Sequence, residues 1–537
     1  MNCLPRKKVE IASAPANLSN QFLEIFTPDC ICFLTDLVSN FESSVAELLR
    51  IRKYKKLDLE SSDELPTFPE PIKNGDWKIP ALPPRLQCQH LGLGDVSPSN
   101  PLHFISALTS GVNGVQVDFD DGHCPTWSNT ITGLHNVISF TKGAFHSDEV
   151  PPLEKAPLLL LRPRAWNMDE HNIFIGGKAT PGPLVDFGIL IYHIGLKLTE
   201  QNVGPYFFLS KVERASEAKL WNEIFTWSEA KLGLEHGTIK ASVLIENILA
   251  CFEAENILYE LREHSFGLNC GIWDYAASII AKFGHRAGFV IPERSKYVSM
   301  EKHFIKSYIN HVIKTCHQHG APATSGMAAL TLSHSDIDKR IEITRRVCEG
   351  KKNEIEAGVD GFLVYDSQLV PALSSLWLGR PPNQIDSEQK NATEITREDL
   401  LQLPVGEVTL NGLKHNVRVG IQFIYSWLHN GVGNFILDGA VEDSATAEIA
   451  RSQIWQWIYH QVPLEGDTRR LVTKTLVKQC IDELYKHATI KSSTNTEDTF
   501  MKQACQILLE VVTASEFPEY ITTYLYNHSY FRAAHSQ

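Results

Sequence analysis

With 537 residues, 43% of them hydrophobic and 21% charged, the chain is long enough for two to four domains with sizeable cores. Its formal net charge of −13 argues against a nucleic-acid partner, because an acidic surface repels phosphate unless basic residues gather on one face. The basic run 50–56 (RIRKYKK) continues an amphipathic stretch and reads as a solvated helix face, and no run of about eighteen apolar residues offers a membrane-spanning helix.

In chain order, the opening MNCLPRKKVE lacks the apolar stretch of a secretory signal. Helical periodicity covers 22–50 and a proline-rich connector covers 65–84, so residues 1–84 read as an N-terminal helical segment. The eleven cysteines are odd in number and without repeated spacing, which favours a reducing compartment over a disulfide framework. Cys30-x-Cys32 and Cys316-His317-x-His319 lack a matching second half at zinc-site spacing and read as structural.

From 85 to 382, short apolar runs alternate with helix-length segments. Candidate strands are 85–91, 114–119, 157–161, 205–211, 241–246, 267–272, 323–326 and 361–364. Eight such units predict a (β/α)₈ barrel, although an open sheet would give the same alternation. Several runs stop at charged residues: Asp118, Asp120 and Asp121; Arg162 and Arg164; Lys211 and Glu213; Glu246; Asp274. In a barrel these ends gather on one face, where carboxylates and arginines together suit a hard cation and an anionic substrate. A polar linker, 383–399, precedes a C-terminal domain, 400–537, that reads as all-helical, with amphipathic runs at 416–428, 445–459, 469–486 and 499–514. The chain closes on His535-Ser536-Gln537, unlike a Ser-Lys-Leu peroxisomal address. The expectation is therefore cytoplasmic, with the peroxisome or glyoxysome as the alternative.

Five segments resemble the malate synthase family. VDFDDGHCPTWSN (117–129) is similar to its DFEDANSPTW motif, and RPRAW (162–166) to its RPRGW. The stretch from Gly237 to Tyr275 is similar to its long central signature. GMAA (326–329) and VEDSATAEIARSQIWQWI (441–458) resemble two further segments, and the likeness is greatest to the A-type branch. The chain departs from the family pattern at Asp120 (usually Glu), Asn167 (His), Ile272 (Arg) and Ser325 (Gly), and across 433–440.

This resemblance implies an Mg²⁺-dependent condensation of acetyl-CoA with glyoxylate to give malate and CoA. It implies Glu246 and Asp274 as metal carboxylates, and Arg164 as the arginine that orients glyoxylate and stabilises developing negative charge. Gly271, Trp273 and Asp274 would complete the substrate contacts. Asp443 would be the catalytic base, and Asp118, Asp120 and Asp121 an outer acidic group holding metal-bound waters. Each has a plainer reading: Asp443 as the N-cap of the helix after it, Glu246 as a helix first-turn acid, and Arg162 or Arg164 as an internal ion pair. A related CoA-dependent barrel lyase using another 2-oxo acid, and an inactive scaffold on the same fold, remain alternatives.

Overall fold

The computed structural model describes residues 7–535 except 74–75, 146, 148, 334–335, 388–393, 490–493 and 519. The first six residues, the middle of the polar linker, and Ser536 and Gln537 of the C-terminal tripeptide therefore lie outside the described residues.

Eight parallel strands close into a barrel: β1 (Leu91–Val96), β2 (Gly114–Asp118), β3 (Leu158–Arg162), β4 (Tyr206–Leu209), β5 (Lys240–Ile245), β6 (Ser265–Cys270), β7 (Ala323–Ala328) and β8 (Gly361–Val364). Every residue of β1 to β6 is buried, as expected for strands covered on both faces. The expected barrel is present, but its first strand lies at 91–96 rather than 85–91, where Pro84–Leu86 forms a single 3₁₀ turn. The reason is packing. A Cβ on Gly92 would sit 2.7 Å from Leu363, and one on Gly94 2.8 Å from Met327. β1 gives up side-chain volume so that larger residues can fill the barrel, and it therefore lacks the apolar pattern of a strand.

The N-terminal segment is dominated by α1 (Pro28–Ser61), opened by Thr27 accepting from the Cys30 N–H and by proline at the first helical position. Leu34, Leu37, Val38 and Phe41 are buried against α2 (Gly182–Glu200) and α3 (Ala215–Leu232). The basic run at its end is not wholly solvated. Arg52 is 2% exposed and donates to both carboxylate oxygens of Glu217, at 2.8 and 2.6 Å, and to the carbonyl of Lys211 at 2.7 Å. Val9–Ile11 pairs with Asp169–Ile175, which pairs with Lys178–Pro181, in a small antiparallel sheet outside the barrel.

The barrel helices that bear on the site are α4 (Ile272–Phe283) and α5 (His303–Gln318). The C-terminal region is built on α6 (Leu410–Tyr425), α7 (Ser444–Tyr459), α8 (Lys474–Thr489) and α9 (Asn495–Thr513) around its own core. It is not all-helical: Phe435–Leu437 pairs with Ala440–Glu442, and Pro463–Leu464 with Asp467–Leu471. α7 packs on α4. Buried hydrogen bonds also fasten α7 to the loop after α4: Ile291 N–H to Gln456 Oε1 at 3.0 Å, and Trp457 Nε1–H to the Ile291 carbonyl at 2.9 Å. No helix among the described residues is long and apolar enough to cross a membrane.

Residues of both cysteine-containing motifs noted above are packed or paired inside the fold. Cys30 and Cys316 are buried, His317 pairs with Asp360 at 2.9 Å, and His319 stacks on Trp77. The ten described cysteines are free.

Candidate active site

A cavity of about 270 Å³ opens at the C-terminal ends of the strands, beneath the start of α7. Its wall includes Asp95, Asp121, Arg162, Glu246, Gly271, Ile272, Trp273, Asp274, Ser325 and Asp443. Six of the expected residues thus meet: Glu246, Gly271, Trp273, Asp274, Asp443 and Asp121.

Glu246 follows β5 directly. Asn247, not Glu246, caps the next helix through the Leu249 N–H, which leaves Glu246 for the cavity. Its Oε1 accepts the Lys211 N–H at 2.7 Å. A Cβ on Gly271 would lie 3.0 Å from Glu246 Oε2, so the glycine leaves that oxygen room. Asp274 lies in the first turn of α4 rather than at a strand end, where the partial positive charge of a helix N-terminus faces it. Asp121, Glu246 and Asp274 offer oxygens all within 4.8 Å of one another. Both Asp274 oxygens are buried without a hydrogen-bond partner among the described residues, an arrangement that calls for a cation.

Arg164 does not reach this cavity. Its guanidinium donates to Asp186 at 2.9 and 2.7 Å and to Glu170 at 2.8 Å, behind the barrel wall. Arg162, which sits opposite Asp118 in the β2–β3 register, faces the cavity instead. It bonds Asp121 and lies 3.3 Å from Asp118, and its buried Nε–H has no acceptor among the described residues. The acidic group also divides. Asp118 accepts the Asp120 and Gly122 N–H groups at 2.7 and 2.9 Å and so shapes the turn. Asp120 accepts from Ser210 at 3.0 Å and Lys211 at 2.9 Å, and only Asp121 joins the trio.

Besides Arg162, three residues here were not in the expected site. Lys211, held at a positive φ of 51°, places Nζ 2.6 Å from Asp121, 2.9 Å from Asp120 and 3.6 Å from Asp274. Ser444 Oγ–H bonds Asp121 across from the C-terminal region. Asp95, also at positive φ, adjoins Asp443. Lys211 was visible as a charged residue at a strand end. Asp95 was hidden by the shifted first strand.

Asp443 is both cap and cavity residue. Its Oδ1 accepts the Thr446 N–H at 2.9 Å in a capping box that opens α7, yet it lines the same space as Arg162 and the carboxylate trio. Burial, with Asp121 nearby, raises its carboxyl above the ordinary range. Asp95 is raised well above, by burial and then by Asp443 and Asp118, and their mutual hydrogen bond favours a protonated Asp95 beside an ionised Asp443. Burial raises Asp274 against the pull of Lys211, raises Glu246 against Lys211 and Arg162, and pushes Asp118 up to about 6 against Arg162. Asp121 goes the other way, because Arg162 and Lys211 outweigh its burial.

A closed parallel barrel with a buried carboxylate trio at its C-terminal mouth, an arginine beside it and a further carboxylate brought in by a helical region defines the class of barrel enzymes that keep their site at that face. Comparison with known proteins narrows this class. Family models for the malate synthase TIM barrel and the malate synthase C-terminal domain match residues 158–403 and 407–529. The chain is 35% identical to a malate synthase of Myxococcus xanthus, over 94% of both chains. It is 36% identical to one of Dictyostelium discoideum, also over 94% of both. Against one of Arabidopsis thaliana it is 35% identical over 94% of this chain and 92% of that protein. The chain belongs to the malate synthase family, whose members are acyltransferases.

Proposed function

We propose that this cavity joins acetyl-CoA to glyoxylate and hydrolyses the thioester, yielding malate and CoA. The observation that carries the reading is the meeting, in one buried space, of Asp443 from the C-terminal region with Arg162 and the trio Asp121, Glu246 and Asp274. The all-oxygen donor set and the Asp274 oxygens, which accept no hydrogen bond among the described residues, suit Mg²⁺. Bound there, Mg²⁺ would supply Lewis-acid polarisation of the glyoxylate aldehyde and partial neutralisation of the acid cluster.

The methyl group of a thioester is a weak carbon acid, so a well-placed base and a stabiliser for the enolate oxygen are both required. Asp443 takes the methyl proton. Its raised carboxyl makes it a stronger base than an exposed aspartate, and Asp95, carrying a proton, donates to it and keeps it ionised. The resulting carbon attacks the glyoxylate aldehyde carbon, forming the new carbon–carbon bond while the aldehyde oxygen takes up the electron pair. Arg162, rather than Arg164, faces that developing charge, and its free Nε–H suits an anionic substrate. Water then cleaves the thioester, releasing CoA and the second carboxylate of malate. Trp273 and Gly271 shape the wall where the substrate lies. At about 270 Å³ the cavity suits glyoxylate and the acetyl group, with the nucleotide of CoA outside it. The free cysteines favour a reducing compartment, cytoplasm or peroxisome.

The test is release of CoA thiol from acetyl-CoA. Release should require glyoxylate, stop with EDTA and return with Mg²⁺. A panel of other 2-oxo acids checks the related-lyase alternative: turnover with one of them and none with glyoxylate would replace this reading.

A further inference from the structure

At the opposite end of the barrel from the cavity, a second cluster has the chemistry of a metal site. Glu229 near the end of α3, His236 in the loop before β5, and His264 immediately before β6 point ligand atoms at one another, all within 4.8 Å. His264 Nε2 is 3.2 Å and His236 Nδ1 3.3 Å from the same oxygen, Glu229 Oε2. Four ligands at zinc–nitrogen and zinc–oxygen bond lengths of about 2.0–2.1 Å stand roughly 3.3 Å apart along the edges of a tetrahedron, so both distances fit.

Plain hydrogen bonds would have similar lengths, but the surroundings favour an ion. His264 Nδ1 lies 2.7 Å from Asn222 Oδ1. With the Nδ1–H donated there, Nε2 meets the Glu229 oxygen at 3.2 Å only through a second proton or a cation. A proton can join only two of these atoms, whereas two imidazole nitrogens converge on one oxygen with their rings nearly perpendicular, at 88°. A ligating histidine whose other nitrogen is fixed by an amide or carboxylate oxygen is the usual outer support of such sites. Glu229 is oriented in turn by the N–H groups of Ile239 and Gly237, at 2.8 and 3.0 Å. His264 and Glu229 are fully buried, while the His236 side chain is 55% exposed. The exposed side leaves an entry path and room for water as the fourth ligand.

We infer that Glu229, His236 and His264 form a second metal site, selective for Zn²⁺ or a similar transition-metal ion over Mg²⁺, that ties the loop before β5 to the loop before β6. Imidazole ligands give the selectivity, because Mg²⁺ prefers oxygen. This inference is independent of the catalytic reading, since none of its residues lines the cavity.

The test is titration of the full-length, metal-stripped protein with Zn²⁺ by calorimetry, in millimolar Mg²⁺ so that the acid cluster is filled. One equivalent should bind to the wild-type protein and be lost in His236→Ala, whose exposed side chain can be removed without unfolding. Glyoxylate-dependent CoA release by that variant should stay within about twofold of wild type. Asn222→Leu, which leaves all three ligands, should weaken Zn²⁺ binding about 10- to 100-fold. A wild-type protein that takes up no Zn²⁺ under these conditions, or an equivalent that persists in His236→Ala, would overturn the inference.

Discussion

Arg162 and Arg164 leave the same strand two positions apart and meet different fates. β3 ends at Arg162, still in register with Asp118. The turn that follows carries Arg164 past the wall into a closed pairing with Asp186 and Glu170. Their loss should therefore read out differently. Arg162→Lys keeps a charge but loses the planar fork, and turnover should fall about 10²- to 10³-fold, the usual effect of removing one donor to a developing oxyanion, with little change in melting temperature. Arg164→Met leaves two buried carboxylates unpaired and should cost about 3–5 kcal/mol of stability. Steady-state kinetics and thermal melts of both variants decide the matter; the opposite pattern would return the catalytic role to Arg164. Asp443→Asn is the cleaner probe of the base, because asparagine also caps helices. Turnover should drop by about 10²- to 10⁴-fold in a protein that melts like wild type. An equal loss of stability and activity would reduce Asp443 to a cap.

The barrel strands could be read from sequence wherever burial on both faces made the run uniformly apolar, as in β3 and β4. The reading slipped where packing replaced side chains with glycine, at Gly92 and Gly94. It also missed the outer antiparallel sheet, whose strands are only partly buried and carry no strong pattern. The choice between two arginines was beyond sequence, because it depends on where a strand stops, a boundary set by tertiary contacts. The proposed base was singled out only through resemblance, since Asp443 has the local signature of a helix start and does open a helix. Helix burial also sets an acid limit on the fold. His311 on α5 lies against Phe68 of the N-terminal connector, with Nε2 at 3.1 Å from the Cys251 carbonyl, and burial lowers its pKa to about 4. The native state keeps this ring neutral while the unfolded chain protonates it below about 6.5. Its contribution is thus intact at neutral pH and is lost as pH falls through that window. By pH 5 the loss should be about 2 kcal/mol. His311→Gln keeps a donor to the carbonyl but does not titrate, so its urea midpoint should fall less between pH 7 and pH 5 than that of wild type. Parallel decline would assign the acid limit elsewhere.

Seven carboxyl groups, Asp95, Asp118, Asp120, Asp121, Glu246, Asp274 and Asp443, crowd the mouth of the barrel, where Arg162 and Lys211 are the buried cations beside Asp118, Asp120, Asp121 and Asp274. Such an excess of like charge destabilises the compact state, and a divalent cation would relieve it. The relief should be felt by the whole molecule, because Ser444 bonds Asp121 from the C-terminal side while Gln456 and Trp457 fasten α7 to the barrel loops. At free Mg²⁺ near 100 times its dissociation constant, binding to the native state alone stabilises by about 2.7 kcal/mol. Mg²⁺ should thus raise the melting temperature by a few degrees and move barrel and C-terminal region together. Asp274→Asn removes one of the charges that calls for the ion, so this variant should start closer to the Mg²⁺-bound wild type and respond little to added Mg²⁺. Differential scanning calorimetry of both proteins in EDTA and in Mg²⁺ makes the comparison. An equal Mg²⁺ shift in Asp274→Asn would place the ion elsewhere, and a wild-type shift confined to one of two resolved transitions would mean that barrel and C-terminal region are not coupled through Asp121.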